Sequence, residues 1–175
     1  MKCPKCNKSV PEWKKGCVCG YKFDFSKVPN PPKQIGFIND YEAIIGDYAS
    51  KMIQLSQDFF RRTGIEIVIA VFGNTKPLPP ENYAFFLFNK WRLGKDDNKA
   101  ILILVSMYER RIETEIGYGL ESLISEEFTE KLLDNIVVPY FRQSKYGEGL
   151  YEAMNKLIKE IDTRMATKNN FISEK

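Results

Sequence analysis

Four cysteines near the start of the chain are the residues whose type and spacing most directly indicate chemistry. Cys3 and Cys6 are separated by two residues, and Cys17 and Cys19 follow about ten residues later with one residue between them. Two such pairs are typical of a structural zinc site, in which four thiolates surround the ion and leave no position open for catalysis. A segment this short buries too little apolar surface to fold alone, so a bound metal would supply the missing stability.

The four cysteines could instead form a pair of disulfides, or the first pair could act as a redox-active dithiol. The N-terminal residues lack the apolar stretch of a signal peptide, so we expect a cytoplasmic, reducing compartment, which favours metal ligands. The pattern resembles the short zinc ribbons at the N-termini of many microbial proteins, which provide structure or contacts. Trp13, Tyr21 and Phe23 could cover the site on one side.

The absence of histidine limits every other kind of site, because the chain contains none. Serine or cysteine catalysis with a histidine base is therefore excluded, and so is histidine ligation of a metal. Acid–base chemistry would fall to carboxylates, lysine, tyrosine or bound water. A metal outside the cysteines would be held mostly by oxygen atoms, which favours calcium, magnesium or manganese.

Oxygen-bearing side chains of that kind collect in the second half of the chain. Residues 100–106 form a buried strand pattern and residues 111–116 alternate, so together they predict an antiparallel hairpin. The start of the first strand then lies beside the end of the second, where Gly117 and Gly119 would let the backbones approach closely. This edge could hold a hard divalent cation, or it could be ordinary solvated turn sequence. Its side chains are Asp96, Asp97, Asn98, Glu115 and Glu121.

Hydrophobic periodicity predicts the elements that position these residues. Helices are expected over residues 47–62, 80–91, 125–138 and 147–165, and strands over residues 65–72, 100–106 and 111–116. Gly64 is expected to end the first helix and Pro139 the third. This order of helices and strands indicates an α/β fold, with a mixed sheet and helices packed on its faces.

Composition divides the chain into four segments. Residues 1–25 form the zinc ribbon, residues 26–35 a proline-rich linker, residues 36–166 the α/β domain and residues 167–175 a polar tail. With 175 residues, 43% of them hydrophobic, the chain is long enough for one ordinary domain and a small appendage. No apolar run is long enough to span a membrane.

Six separated motifs resemble the TPM-domain family and follow one another over about residues 36–162. They are residues 37–41 (FINDY), 63–69 (TGIEIVI), 91–105 (WRLGKDDNKAILILV), 111–121 (RIETEIGYGLE), 139–142 (PYFR) and 146–150 (YGEGL). The resemblance implies a three-layer α/β/α sandwich. The family includes members described as phosphatases and members that bind calcium or another divalent ion. On that resemblance, a candidate divalent-cation site comprises Asp40, Asp97, Asn98, Glu115 and Glu121.

Two functions are compatible with this resemblance. The diversity of roles across the family favours a non-enzymatic protein-interaction or regulatory module, with structural zinc and with calcium or magnesium as a second candidate cofactor. The alternative is a divalent-metal-dependent phosphatase acting on phosphoesters, in which Arg111 could neutralise developing charge. A net charge of +3 is too small to indicate nucleic-acid binding. We therefore expect a protein partner, without nucleic acid and without a membrane span.

Overall fold

The computed structural model describes residues 3, 6, 8, 10, 16–95 and 97–173, with side chains up to residue 167. In this part of the chain one sheet has the strand order β1 (Ile38–Asp40), β2 (Glu66–Phe72), β3 (Ala100–Ser106) and β4 (Arg111–Ile116). β1, β2 and β3 are parallel, whereas β4 runs antiparallel to β3. The predicted mixed sheet and its β3–β4 hairpin are confirmed.

Helices cover both faces of this sheet. α1 (Tyr48–Thr63), α3 (Glu126–Leu132), α4 (Val138–Phe141) and α5 (Tyr146–Ser173) lie on one face, and α2 (Pro80–Trp91) lies on the other. β2 and β3 are almost entirely buried between the two layers, as expected for central parallel strands. Alternate residues of β2 and β3 therefore enter two separate cores, which makes the fold an α/β/α sandwich.

Local sequence signals account for several helix ends. Gly64 follows α1 with a φ of 72°, and its N–H donates to the Phe60 carbonyl. Glycine adopts this left-handed conformation more easily than any other residue, and the predicted stop at Gly64 is confirmed. Pro80 occupies the first turn of α2, and the Ser125 hydroxyl accepts from the Phe128 N–H to cap α3.

Three features differ from the sequence-based expectation. β1 was not predicted, because three residues that include an Asn and an Asp carry no strand pattern and are ordered only by pairing with β2. Pro139 does not end a helix, since a π-helical turn (Leu133–Val137) connects α3 to α4 through it. The wider turn accommodates the ring and the missing N–H of proline. α5 also continues beyond residue 165, to Ser173.

Candidate functional site

Four sulfur atoms converge in the N-terminal segment. The Sγ atoms of Cys3, Cys6, Cys17 and Cys19 all lie within 4.8 Å of one another. Cys3 Sγ is 3.6 Å from Cys19 Sγ, and Cys6 Sγ is 3.5 Å from Cys17 Sγ. Both separations exceed the S–S bond length of about 2 Å. They are close to the edge of about 3.8 Å that a tetrahedron of sulfurs has around zinc. The four thiols therefore form one cluster with a spacing consistent with a bound metal ion.

Peptide groups support two of the sulfurs. The N–H of Lys8 donates to Cys6 Sγ, and the N–H of Tyr21 donates to Cys19 Sγ. The turn after the second pair is closed by a bond from the Cys17 N–H to the Tyr21 carbonyl, at 2.7 Å. The hydrogen bond from Tyr21, together with those from the neighbouring cysteines, lowers the pKa of Cys19 to about 7 because it stabilises the thiolate. At Cys6 the Lys8 N–H acts in the same direction, but burial and the neighbouring thiols outweigh it and raise the pKa of Cys6 to about 12. The thiolate is the form that binds metals.

Aromatic side chains attach the cysteine segment to α2. The rings of Phe23 and Phe85 have centroids 5.3 Å apart, and those of Phe25 and Phe86 are 5.2 Å apart. The Trp91 indole N–H donates to a linker carbonyl at 2.9 Å. Phe23, which the sequence offered as a cover for the cysteines, thus packs on the α/β domain. The N-terminal segment is anchored on the outer side of α2.

The acidic edge has the backbone geometry that the hairpin predicted. The Gly117 N–H donates to the Ala100 carbonyl at 2.8 Å, and the Gly119 N–H donates to the Asn98 carbonyl at 3.2 Å. A Cβ added at Gly117 would lie 2.1 Å from the Asn98 oxygen, and one at Gly119 would lie 2.2 Å from the Asp97 oxygen. Both positions require glycine because the two backbones pass so closely.

The side chains at this edge have different surroundings. The Asp97 carboxylate lies 2.7 Å from Lys99 Nζ, and this contact lowers the pKa of Asp97. Glu121 is exposed, whereas Glu115 is only 4% exposed and lies opposite Leu102 on the α2 side of the sheet. Among the described residues, only the four cysteines bring three or more acidic, cysteine or histidine ligand atoms within 4.8 Å.

Asp40 lies at the opposite end of the sheet from this edge. It is paired with Val71 at the carboxyl end of β1, whereas Glu115 is paired with Leu102 near the start of β3. The separation arises because β1 is parallel to β3, so its last residue cannot reach the start of β3. Asp40 Oδ2 accepts from the Ile45 N–H at 2.8 Å, and its Oδ1 is buried without a hydrogen-bond partner in the described structure. The structure therefore does not bring Asp40 to the other candidate ligands.

Two residues named from the sequence, Trp13 and Asp96, lie outside the described residues. The described candidate ligands at the acidic edge are therefore Asp97, Asn98 and Glu121, together with the buried Glu115 on the α2 side of the sheet. Asn98 has a φ of 52°, so the turn before β3 uses a left-handed residue that asparagine tolerates better than most.

A groove along the outer side of β4 was not predicted. It consists of two adjoining cavities of about 570 and 940 Å³, bounded by β4 on one side and by α3, the π-helical turn and α4 on the other. We call it the β4 groove. Apolar side chains form part of its lining, among them Ile112, Ile116, Ile124, Leu133 and Phe141.

Charge is distributed unevenly along the β4 groove. Seven glutamates line the first cavity, whereas in the second cavity three arginines stand beside Glu113, Glu130 and Asp134. The glutamates are Glu81, Glu113, Glu115, Glu121, Glu126, Glu127 and Glu130, and the arginines are Arg110, Arg111 and Arg142. These residues are scattered over the sequence, so no local spacing could reveal the cluster. The single available signal was the alternation of residues 111–116, which is typical of a strand with Glu113 and Glu115 on one face.

Glu113 is the residue of the groove whose electrostatics are best defined. Its carboxylate accepts from Arg111 Nη2 at 2.7 Å, and its side chain is 18% exposed. Burial raises the pKa of Glu113, and the negative charges of Glu81 and Glu130 raise it further. Arg111 opposes this shift but does not cancel it. Burial is therefore the main reason why the ionised carboxylate of Glu113 is disfavoured, and the neighbouring glutamates add a smaller effect of the same sign.

A comparison with models of protein families identifies the larger domain. The model of the TPM domain matches residues 38–160, which is more than half of the chain. The chain belongs to the TPM-domain family. The TPM match begins at β1 and ends within α5, so it contains the acidic edge and the β4 groove but none of the four cysteines. A comparison with curated proteins gave no match.

Solved TPM-like structures share the fold at low sequence identity. The N-terminal domain of a P. gingivalis protein has a TM-score of 0.68 and 21% identity, covering 73% of this chain and 82% of that one. The BA42 protein of the psychrophilic bacterium Bizionia argentinensis has a TM-score of 0.61 and 16% identity, covering 71% and 85%. The N-terminal domain of cg2496 from Corynebacterium glutamicum has a TM-score of 0.56 and 10% identity, covering 74% and 82%. These similarities support the fold of the TPM domain and nothing further.

Within the described residues, the TPM chain contains no helix with the length and apolar character needed to cross a membrane.

Proposed function

We propose that this TPM-domain protein is a non-enzymatic interaction module that binds a protein partner along the β4 groove. The observation that carries the proposal is the position of β4. It forms one edge of the sheet, and no strand pairs with its outer side in the described part of the chain. Exposed strand edges offer backbone groups to another chain, and proteins usually cover or blunt them. Here the outer side of β4 borders an open groove with apolar and charged walls.

We further propose that the four cysteines hold one structural zinc ion. The supporting observation is the close spacing of the four sulfurs together with the peptide N–H groups directed at Cys6 and Cys19. Zinc bound in this way would stabilise the short segment that packs on α2 and would have no ligand position left for a substrate. Its role is to fix the N-terminal segment on the domain.

Calcium or magnesium binding at the acidic edge stays a prediction from the resemblance, and the interaction module does not require it. The carboxylates described there do not gather in threes at ligand distance, and the Asp97 carboxylate is already paired with Lys99. Among the described residues, this edge therefore gives no support to the phosphatase alternative.

Affinity capture combined with an activity assay separates the two functions. The full chain, its Glu81→Gln/Glu130→Gln variant and a Glu42→Gln/Glu152→Gln control would each be used as bait in a native lysate. Cross-linking would report which surface touches each recovered protein. Phosphate release from generic phosphoesters with calcium, magnesium or manganese would be measured in parallel.

The proposal expects cross-links to the β4 groove that the first variant weakens and the control retains. Robust phosphate release without any recovered partner would reverse the assignment in favour of the phosphatase.

A further inference from the structure

We propose that the glutamate-lined first cavity of the β4 groove binds an extended, basic segment of a protein partner, which adds to the sheet as a further strand beside β4. The inference rests on the proposed interaction function and deepens it by naming the chemistry of the partner. Residues of that segment would alternate between lysine or arginine and apolar side chains.

The hydrogen-bond pattern of β4 provides the template. The Gly117 N–H donates to the Ala100 carbonyl of β3. In an antiparallel pair every second residue forms backbone hydrogen bonds to the neighbouring strand, so Glu115, Glu113 and Arg111 also bond to β3. The residues between them, Ile112, Thr114 and Ile116, direct their backbone N–H and C=O groups away from β3. An incoming strand would satisfy these groups, as in other cases of strand addition.

The two faces of β4 determine the side chains that such a strand needs. Glu113 and Glu115 lie on the α2 side, where Glu81 borders the groove. Ile112 and Ile116 face the opposite side and pack with the core of α3 and α5. Neighbouring strands place paired side chains on the same face of a sheet. A segment with basic residues on one face and apolar residues on the other therefore complements β4.

The charge of the first cavity identifies the partner as basic. Its described lining contains seven glutamates and no lysine or arginine, although Glu113 is paired with Arg111 and Glu127 with Lys131. The whole chain carries a net charge of +3, so this negative region is opposite in sign to the protein as a whole. Complementary charge steers association and suppresses wrong partners. Nucleic acid is disfavoured at this surface because its phosphates would meet carboxylates.

Backbone methylation of a peptide tests strand addition directly. The probe is a capped, fluorescent ten-residue peptide of alternating lysine and valine, titrated into the full, zinc-loaded chain. One derivative is N-methylated at every valine and a second at every lysine, because alternate residues of a strand direct their N–H groups to opposite sides. A peptide of alternating glutamate and valine serves as the charge control.

We expect the unmodified lysine peptide to bind and the glutamate peptide not to bind. We expect only one of the two methylated derivatives to lose binding. Methylation of the valines abolishes binding if the added strand is antiparallel to β4, and methylation of the lysines abolishes it if the strand is parallel. Loss of binding with both derivatives, or with neither, would overturn the proposal. So would self-association of the chain that excludes the peptide, since a second copy would then be the occupant.

Glutamate variants test the charge part of the inference. Glu81→Gln/Glu130→Gln is expected to weaken binding about tenfold, whereas the matched Glu42→Gln/Glu152→Gln control leaves it unchanged. Equal effects of both variants would reject the groove as the binding surface. Failure of every peptide to bind, while captured partners still cross-link to the domain, would defeat this inference and leave the interaction function standing. If no peptide binds and no captured partner cross-links to the domain, both this inference and the proposed interaction function are wrong.

Discussion

Replacing Gly117 with alanine tests the close approach of the two backbones at the acidic edge. Gly117 has a φ of −62° and a ψ of 142°, values that alanine adopts without strain. The effect of Gly117→Ala is therefore steric. The new Cβ would lie 2.1 Å from the Asn98 carbonyl oxygen, a distance that real Cβ atoms do not tolerate. The turn before β3 must move outward by roughly 1 Å to restore van der Waals contact.

The magnitude follows from what that movement breaks. Overpacking a tight site costs about 1–3 kcal/mol. Loss of the hydrogen bond from Gly117 to Ala100, now 2.8 Å long, adds about 1 kcal/mol. We expect Gly117→Ala to lower the free energy of unfolding by about 2–4 kcal/mol.

Urea denaturation followed by circular dichroism measures this change, with Gly36→Ala as the matched control. Gly36 has no heavy atom within 4 Å of an added Cβ and does not have a positive φ. Its replacement is expected to leave stability within about 0.5 kcal/mol of the original. If Gly117→Ala were as mild as Gly36→Ala, the described contact between the turn and β4 would be wrong.

Three further predictions concern charge and metal. Glu113→Gln is expected to stabilise the protein at pH 7, because burial raises the pKa of Glu113 and its ionised form is unfavourable there. That advantage is expected to shrink as the pH falls from the raised pKa of Glu113 to the ordinary glutamate pKa, because the wild-type carboxyl becomes protonated in the folded state over this range. Urea denaturation between pH 4 and pH 8 measures the difference, and a constant difference would contradict the assignment. Metal analysis of protein purified without chelator is expected to find one zinc per chain, and Cys19→Ser to lose it; a metal-free wild type would refute the zinc site. Arg62→Ala removes the ion pair to Asp162, in which both side chains are well exposed. It is expected to lower the free energy of unfolding by less than about 1 kcal/mol, measured by thermal denaturation, and a much larger loss would show that solvent does not screen this pair.

The parts of the fold that follow from local sequence were predictable. β3 and β4 have the bounds that apolar runs and alternation indicated, and Pro80 begins α2 as its position suggested. These signals act within a few residues, so a single sequence contains them. Gly117 and Gly119 were also interpreted correctly, because a hairpin fixes which backbones meet at its open end.

The parts that depend on distant packing were not predictable in the same way. β1 is ordered by pairing with β2, and the position of Asp40 at the carboxyl end follows from that parallel pairing. The β4 groove requires glutamates from α2, β4 and the α3 region to meet, which no spacing within one element shows. The helical segment that begins with α3 continues past Pro139 because of a π-helical turn, and such a turn has no simple sequence pattern.

Amide hydrogen exchange of the full chain, with and without the lysine–valine peptide, tests the central claim most directly. The outward N–H groups of Ile112, Thr114 and Ile116 are expected to exchange more slowly once the peptide is bound. The N–H groups of Glu113 and Glu115, already bonded to β3, are expected to change little. Slowing confined to those three alternate residues would confirm strand addition at β4. Peptide binding that leaves all three unchanged would contradict the interaction surface proposed for this TPM-domain protein.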